Sequence, residues 1–362
     1  MTKSSGCLGC LDGDPETLNS RRIDRQLAKE RKELKRQVKI LLLGSGESGK
    51  STFLKQMVII HGRGEFTGEE QRQYRQQIYQ NVILGMRVLA DARAKLALPW
   101  QNPAHQTHSD RIMEFNAVKA RSVDAKQFGE LRPLIEALWS DQAIKATYDQ
   151  RSAFQISDSC KYFFTNVGRL SALDYVPTNK DILLCRKATR TITEHTFSIL
   201  NVPFRFVDVG GQRSQRQKWF QCFDSITASL FLVASNEYDQ AIMEDRRTNR
   251  VLESRSVFET LVNNPVFANI PIILFLNKTD LLKEKISVAD IRDSFPQFRG
   301  NPNSLTDVQL FILDLFESVR REKKKPLFYH FTVAVDTDNI RRVFQDCREI
   351  ILEQNLNTLM MH

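Results

Sequence analysis

Residues 44–51 read GSGESGKS, glycines closed by a lysine and a hydroxyl. Glycine lets consecutive backbone N–H groups curl around phosphate oxygens, the lysine reaches the outer phosphates, and the serine hydroxyl can ligate Mg²⁺. The candidate phosphate contacts are Gly44, Glu47, Ser48, Gly49, Lys50, Ser51 and Thr52. A chance glycine-rich turn could share these letters, but here an apolar run precedes them and a helix-forming segment follows. Residues 271–280 read PIILFLNKTD, an apolar run that delivers Asn277, Lys278 and Asp280 at its carboxyl end. A carboxylate there can accept both the ring N–H and the exocyclic amino group of guanine, and adenine offers no matching donors. Alone, N-K-x-D is equally a turn with a helix cap. Asp208 ends the run PFRFVDV and is followed by Gly210, Gly211 and Gln212. Glycine would let a terminal phosphate approach the backbone, and the carboxylate could hold a magnesium-bound water. Without the other motifs an ordinary turn is the simpler reading.

These residues need strands that end at one rim. The run at 38–43 reads as the first, and further strands are predicted at 194–200, 203–209, 229–234, 271–277 and 328–335, with helix-forming stretches between several of them. The expected fold is an α/β doubly wound, mostly parallel sheet. Residues 66–179 carry helical character with almost no strand signal, so they read as an inserted helical domain. That divides the chain into a basic N-terminal helix at 1–37, a sheet domain at 38–65 and 180–362, and the insert at 66–179. The last helix, from 338 to about 358, places Ile340, Val343, Phe344, Cys347, Ile350 and Ile351 on one side and is expected to pack on the sheet.

The set GSGESGKS, LCRKAT, DVGGQ and NKTD, in that order and with an insert of this size, resembles a heterotrimeric G-protein alpha subunit over nearly the whole chain. The segments at 245–264 and 339–362 are most similar to the twelve/thirteen class. The resemblance implies a Ras-like P-loop GTPase fold with a six-stranded sheet, GTP or GDP as bound nucleotide, and Mg²⁺. It makes Arg186 a built-in arginine finger and Gln212 the residue that orients the attacking water. Thr189 would complete a metal shell with Ser51, and with Asp208 through water. It adds Leu184, Gly211 and the Ala334 backbone to the nucleotide contacts. From the residues alone, Arg186 and Lys187 read as a solvated basic pair. Cys185 and Ala188 depart from the family's usual Ala and Pro, and Thr332-Val333-Ala334-Val335 stands where T-C-A-T is common. Leu359 replaces the toxin-modified cysteine of the inhibitory class. The implied partners are a beta-gamma dimer, a seven-transmembrane receptor at the C-terminal helix, and Rho guanine-nucleotide exchange factors as effectors. Trp219, Phe220 and Phe223 read either as core packing or, by resemblance, as part of the effector surface.

The chain has 362 residues, 41% hydrophobic and 26% charged, which favours two folded units over a disordered chain. A net charge of +9 points to an acidic partner. Residues 20–37 hold eight Lys or Arg against three Asp or Glu, with Ile23, Leu27, Leu34 and Val38 along one stripe. This is either a solvated helix or one that lies on an anionic membrane surface. Six cysteines have no framework spacing, as suits reduced thiols. Cys7 and Cys10 lack a second pair for zinc, so acylation is the better reading; Thr2 excludes the usual myristoylation signal. Peripheral attachment at the cytoplasmic face of the plasma membrane, with a cytoplasmic fraction, is expected. No aromatic-interleaved basic patch supports nucleic-acid binding. A P-loop kinase and a GTP-bound scaffold that does not hydrolyse are the alternatives.

Overall fold

The computed structural model describes Asn19, residues 21–27 and residues 37–360, with only the main chain over 354–360. Cys7 and Cys10 lie outside the described residues. Residues 21–27 are helical and exposed, with Ile23 and Leu27 facing solvent.

Six strands form one sheet: β1 (Val38–Leu43), β2 (Thr193–Ile199), β3 (Val202–Asp208), β4 (Ala228–Ala234), β5 (Ile272–Asn277) and β6 (Phe328–Phe331). Their order is β2-β3-β1-β4-β5-β6, and every pairing is parallel except the β2–β3 hairpin. A parallel sheet covered on both faces has strands that are apolar throughout, and β4 and β5 are buried at every position. The strand period divides β1 cleanly: Leu41 and Leu43 enter the core on one face, Val38, Ile40 and Leu42 the core on the other. Leu200 and Asn201 join β2 to β3 with φ of 50° and 61°, the two left-handed residues that a tight two-residue hairpin turn demands.

Helix α1 (Lys50–His61) leaves β1 through the glycine-rich loop. Further helices follow as α2 (Gly68–Lys95), α3 (His105–Met113), α4 (Ala117–Arg121), α5 (Ala125–Ser140), α6 (Gln142–Asp149), α7 (Cys160–Thr165), α8 (Val167–Leu170) and α9 (Asn179–Leu184), the last straddling the expected end of the insert. Reciprocal caps start three of these helices: Thr67 with Glu70, Asp124 with Gln127, and Thr178 with Asp181. The 28-residue α2 is the spine of a separate core in which Tyr79 stacks on Phe128 with ring centroids 4.0 Å apart. The sheet is completed by α10 (Arg250–Val262), α11 (Thr279–Lys285), α12 (Leu305–Glu317) and α13 (Thr337–Met360).

As the apolar spacing predicts, α13 lies on the sheet, with Ile340, Val343, Phe344, Cys347 and Ile351 buried. Phe344 packs among Phe53, His61, Phe204 and Phe206, centroids 5.5–6.3 Å away. Phe344→Ala should cost about 3–5 kcal/mol, read as a lower urea midpoint, with Phe344→Leu recovering much of it. The strand expected over 328–335 is shorter: β6 stops at Phe331. Beyond it the Thr332 hydroxyl and Ala334 N–H both donate to the Asn277 side chain, at 3.1 and 2.9 Å, and the chain turns off the sheet. The aromatic segment divides. Trp219 is buried and donates to the Gly210 carbonyl at 2.8 Å, Phe223 is half-buried against Phe267, and Phe220 is 72% exposed.

Candidate functional site

The carboxyl ends of β1, β3 and β5 converge on one cavity of about 270 Å³. The catalytic and nucleotide residues named from sequence line it, apart from Gly44, which lies behind the loop. Asp208 is likewise set back, as one wall of a cluster beneath the cavity.

The loop after β1 is held open by contacts that exclude larger residues. Gly49 has φ +103°, and a Cβ there would lie 2.2 Å from the Asn277 amide nitrogen. Across the cavity a Cβ on Gly211 would lie 2.5 Å from Lys50 Nζ. Two non-glycine residues, Glu47 and Lys278, also take left-handed φ, of 65° and 62°. Such conformations persist only where the surroundings fix them, and here ion pairs do so.

Glu47 pairs with Arg186 and, at 3.2 Å, with Arg250. Arg250 continues to Glu237 at 3.1 Å, and Glu237 to Lys278 at 2.8 Å. Lys278 reaches Asp158 in the insert at 2.8 Å. Burial alone would raise the Glu47 pKa, but Arg186, Arg250 and Lys278 outweigh it and hold the carboxylate low. For Lys278 burial works against the charge, and Asp158 and Glu237 reverse it, raising its pKa.

Lys50 Nζ is buried, donating to the Gly44 and Ser45 carbonyls at 3.0 and 2.7 Å. Burial pulls its pKa down to about 8, against the attraction of Asp208. This is a cationic site short of negative charge, which phosphate oxygens would supply. Beside it, the Ser51 hydroxyl donates to Asp208 Oδ2 at 2.6 Å and lies 2.8 Å from Thr189 Oγ1. Thr189 also donates to Oδ2, at 3.3 Å. Asp208 Oδ1 is buried with no hydrogen-bond partner, and burial raises the pKa of this carboxylate. Three hard oxygen groups converging around an unsatisfied carboxylate oxygen fit Mg²⁺, which keeps water ligands and takes few from protein. Among the described residues no group of three or more His, Cys, Asp or Glu offers a different metal site.

At the other end, Asn277 Nδ2 donates to the Ser48 carbonyl at 2.9 Å while Oδ1 accepts from Ala334. Asn277 therefore ties the phosphate loop to the 332–335 loop, leaving the Asp280 carboxylate at the cavity rim. Gln212 lies against the phosphate loop: a Cβ on Gly46 would be 3.4 Å from its Cγ. The segment after it is pinned to α10 by Arg213 and Arg216, which share Glu253 at 2.6 and 2.7 Å.

Sequence reading missed Glu237, Arg250 and Asp158. Each is an unremarkable charge in a helix-forming or polar stretch, and only burial beside the cavity distinguishes them.

A sequence profile described as G-protein alpha subunit matches residues 17–351. The chain is 61% identical over 356 residues to the guanine nucleotide-binding protein alpha-12 subunit of Caenorhabditis elegans, covering 98% of this chain and 99% of that one. It is 51% identical over 361 residues to the human guanine nucleotide-binding protein subunit alpha-13, covering 98% and 96%. Against human subunit alpha-12 the figures are 52% over 354 residues, 98% and 93%. The resemblance to the twelve/thirteen class is thus borne out, and the kinase reading is set aside. With its Ras-like sheet, helical insert and cavity for a guanine nucleotide and Mg²⁺, the chain belongs to the G-protein alpha subunits, GTPases that transduce signals.

Proposed function

We propose that this alpha subunit, seated with a beta-gamma dimer on the cytoplasmic face of the plasma membrane, carries the state of a seven-transmembrane receptor to Rho guanine-nucleotide exchange factors. The observation that carries the switching role is the meeting of Ser51, Thr189 and Asp208 within 3.3 Å. They come from three segments, and a ligand touching all three would bias those segments toward this one arrangement.

In this reading residues 38–65 and 180–362 form the GTPase unit and 66–179 the helical unit, supported by their distinct cores, with Leu184 and Cys185 reaching into the helical one. Lys50 and the loop N–H groups hold the β- and γ-phosphates, and Asp280 accepts from guanine. The Ser51 and Thr189 hydroxyls, with Asp208 through water, would hold Mg²⁺, which would supply neutralising charge to the phosphate oxygens. Gln212 orients a water whose oxygen attacks the γ-phosphorus. The bond to the β,γ-bridging oxygen breaks, GDP leaves with the electron pair, and the water proton passes to the released phosphate. Arg186 turns from Glu47 to the charge spreading over the γ-phosphoryl oxygens. Loss of that phosphate frees Thr189 and the 210–212 segment, and exposed Phe220 belongs to the surface they control. Palmitoyl groups on Cys7 and Cys10 and the basic N-terminal segment would supply the two signals that lasting membrane attachment needs. Among the described residues no helix is long and apolar enough to cross a membrane.

The test is capture of a Rho exchange factor by protein loaded with GDP or with GDP plus aluminium fluoride, in the presence of Mg²⁺. Retention by the fluoride form alone is expected; equal retention by both forms would overturn the reading.

A further inference from the structure

We propose that Asn81 and Lys55 are positioning residues for the arginine finger, setting from two different elements the main chain from which Arg186 reaches the γ-phosphate. The inference rests on the reading of Arg186 given above.

Arg186 needs such help. Residues 185–192, between α9 and β2, belong to no helix or strand, so no ladder fixes the backbone at the point where placement matters. The Arg186 side chain is 39% exposed and is long enough to sample many rotamers. A rate gain from a fixed positive charge depends on that charge being in place before reaction, and an error of about 1 Å can cost on the order of 10²-fold.

Asn81, on α2, supplies the missing ladder. Its Oδ1 accepts from the Arg186 N–H at 2.8 Å, and its Nδ2 donates to the Arg186 carbonyl at 3.0 Å. One planar side-chain amide thus pairs with both backbone groups of one residue, as a neighbouring strand would. A side-chain amide holds a donor and an acceptor side by side in one plane. The backbone dictates its orientation, since an N–H and a C=O admit one assignment of O and N.

Lys55 fixes the preceding residue. Its buried Nζ donates to the Ile182 and Cys185 carbonyls, at 2.8 and 2.7 Å. These groups lie at the end of α9, where a cation is favoured; the Ile182 carbonyl also accepts from the Cys185 N–H at 3.1 Å, so Lys55 adds a second donor to it. The Tyr74 ring covers the ammonium, 5.1 Å from its centroid. Lys55 stands on α1, the helix that begins with Lys50 and Ser51. The phosphate-holding groups and the finger are therefore referred to one rigid helix, and Asn81 refers the same finger to the helical unit. A further consequence is that the insert contributes to hydrolysis and does more than cover the cavity.

The experiment uses the full chain carrying Asn81→Ala, Lys55→Met, Arg186→Lys, or Asn81→Ala together with Arg186→Lys. Each variant is loaded with labelled GTP, and phosphate release in a single turnover is measured beside dissociation of a non-hydrolysable GTP analogue. Asn81→Ala should slow hydrolysis by on the order of tenfold to a hundredfold, with analogue dissociation close to wild type. In the Arg186→Lys background it should add little, because the clamp then has no finger to place. Should Asn81→Ala not accumulate folded, Lys55→Met tests the same main chain from α1, and retention of the analogue certifies its fold. Wild-type hydrolysis by both clamp variants, or losses that simply multiply with that of Arg186→Lys, would overturn the clamp alone. Wild-type hydrolysis by Arg186→Lys would overturn the finger reading, and the clamp with it.

Discussion

Gln212→Leu should bind GTP normally and leave it unhydrolysed. The side chain lies against the phosphate loop with its segment fastened from both directions, Gly210 by Trp219 and Arg216 by Glu253. Leucine keeps much of the volume but cannot orient a water. Removing one preorganised polar group from a charge-developing transition state costs on the order of 10²-fold to 10³-fold. Alpha subunits are themselves a standard illustration of a glutamine that orients this water, so the role is carried over from the class. Single-turnover phosphate release, with analogue affinity as the control, reads the effect. A rate within about threefold of wild type would remove Gln212 from the mechanism and return the non-hydrolysing scaffold to consideration.

Asp280→Asn should cost the protein its preference for guanine. Asp280 lines the cavity, and in the proposed reading its carboxylate accepts two N–H groups of the base. The amide turns a donor towards the exocyclic amine, so one charge-assisted hydrogen bond is lost and two donors face each other. About 3 kcal/mol is the expected scale, on the order of 10²-fold in GTP affinity. Xanthosine triphosphate, which carries an oxygen in place of that amine, should bind the variant better than GTP does. Competition between the two nucleotides decides it; an unchanged order of preference would mean that Asp280 does not read the base.

The parts of this site that could be read from sequence are those whose chemistry is local. Residues 44–51 carry strand, glycines, lysine and hydroxyl in one unbroken run. The buried strands β4 and β5 were legible because a parallel sheet covered on both faces leaves them apolar throughout. The upper limit of β6 was not, because Val333, Ala334 and Val335 have strand propensity, yet Asn277 draws Ala334 out of the ladder. Asn81 and Lys55 were invisible for a different reason. Their bonds to Arg186 and Cys185 span 105 and 130 residues, and nothing near either residue marks it. Arg186 itself looked like half of a solvated basic pair until the fold placed Glu47 beside it.

The β2–β3 hairpin acts as a ruler for the metal cluster. Thr193 faces Asp208 at its open end, and Thr189 lies four residues before Thr193, so the number of residues around the Leu200–Asn201 bend determines whether hydroxyl and carboxylate meet. One extra residue in that bend would turn alternate side chains to the wrong face. A solvent-exposed corner at the far end of the sheet therefore keeps the measure on which coordination of the phosphates depends.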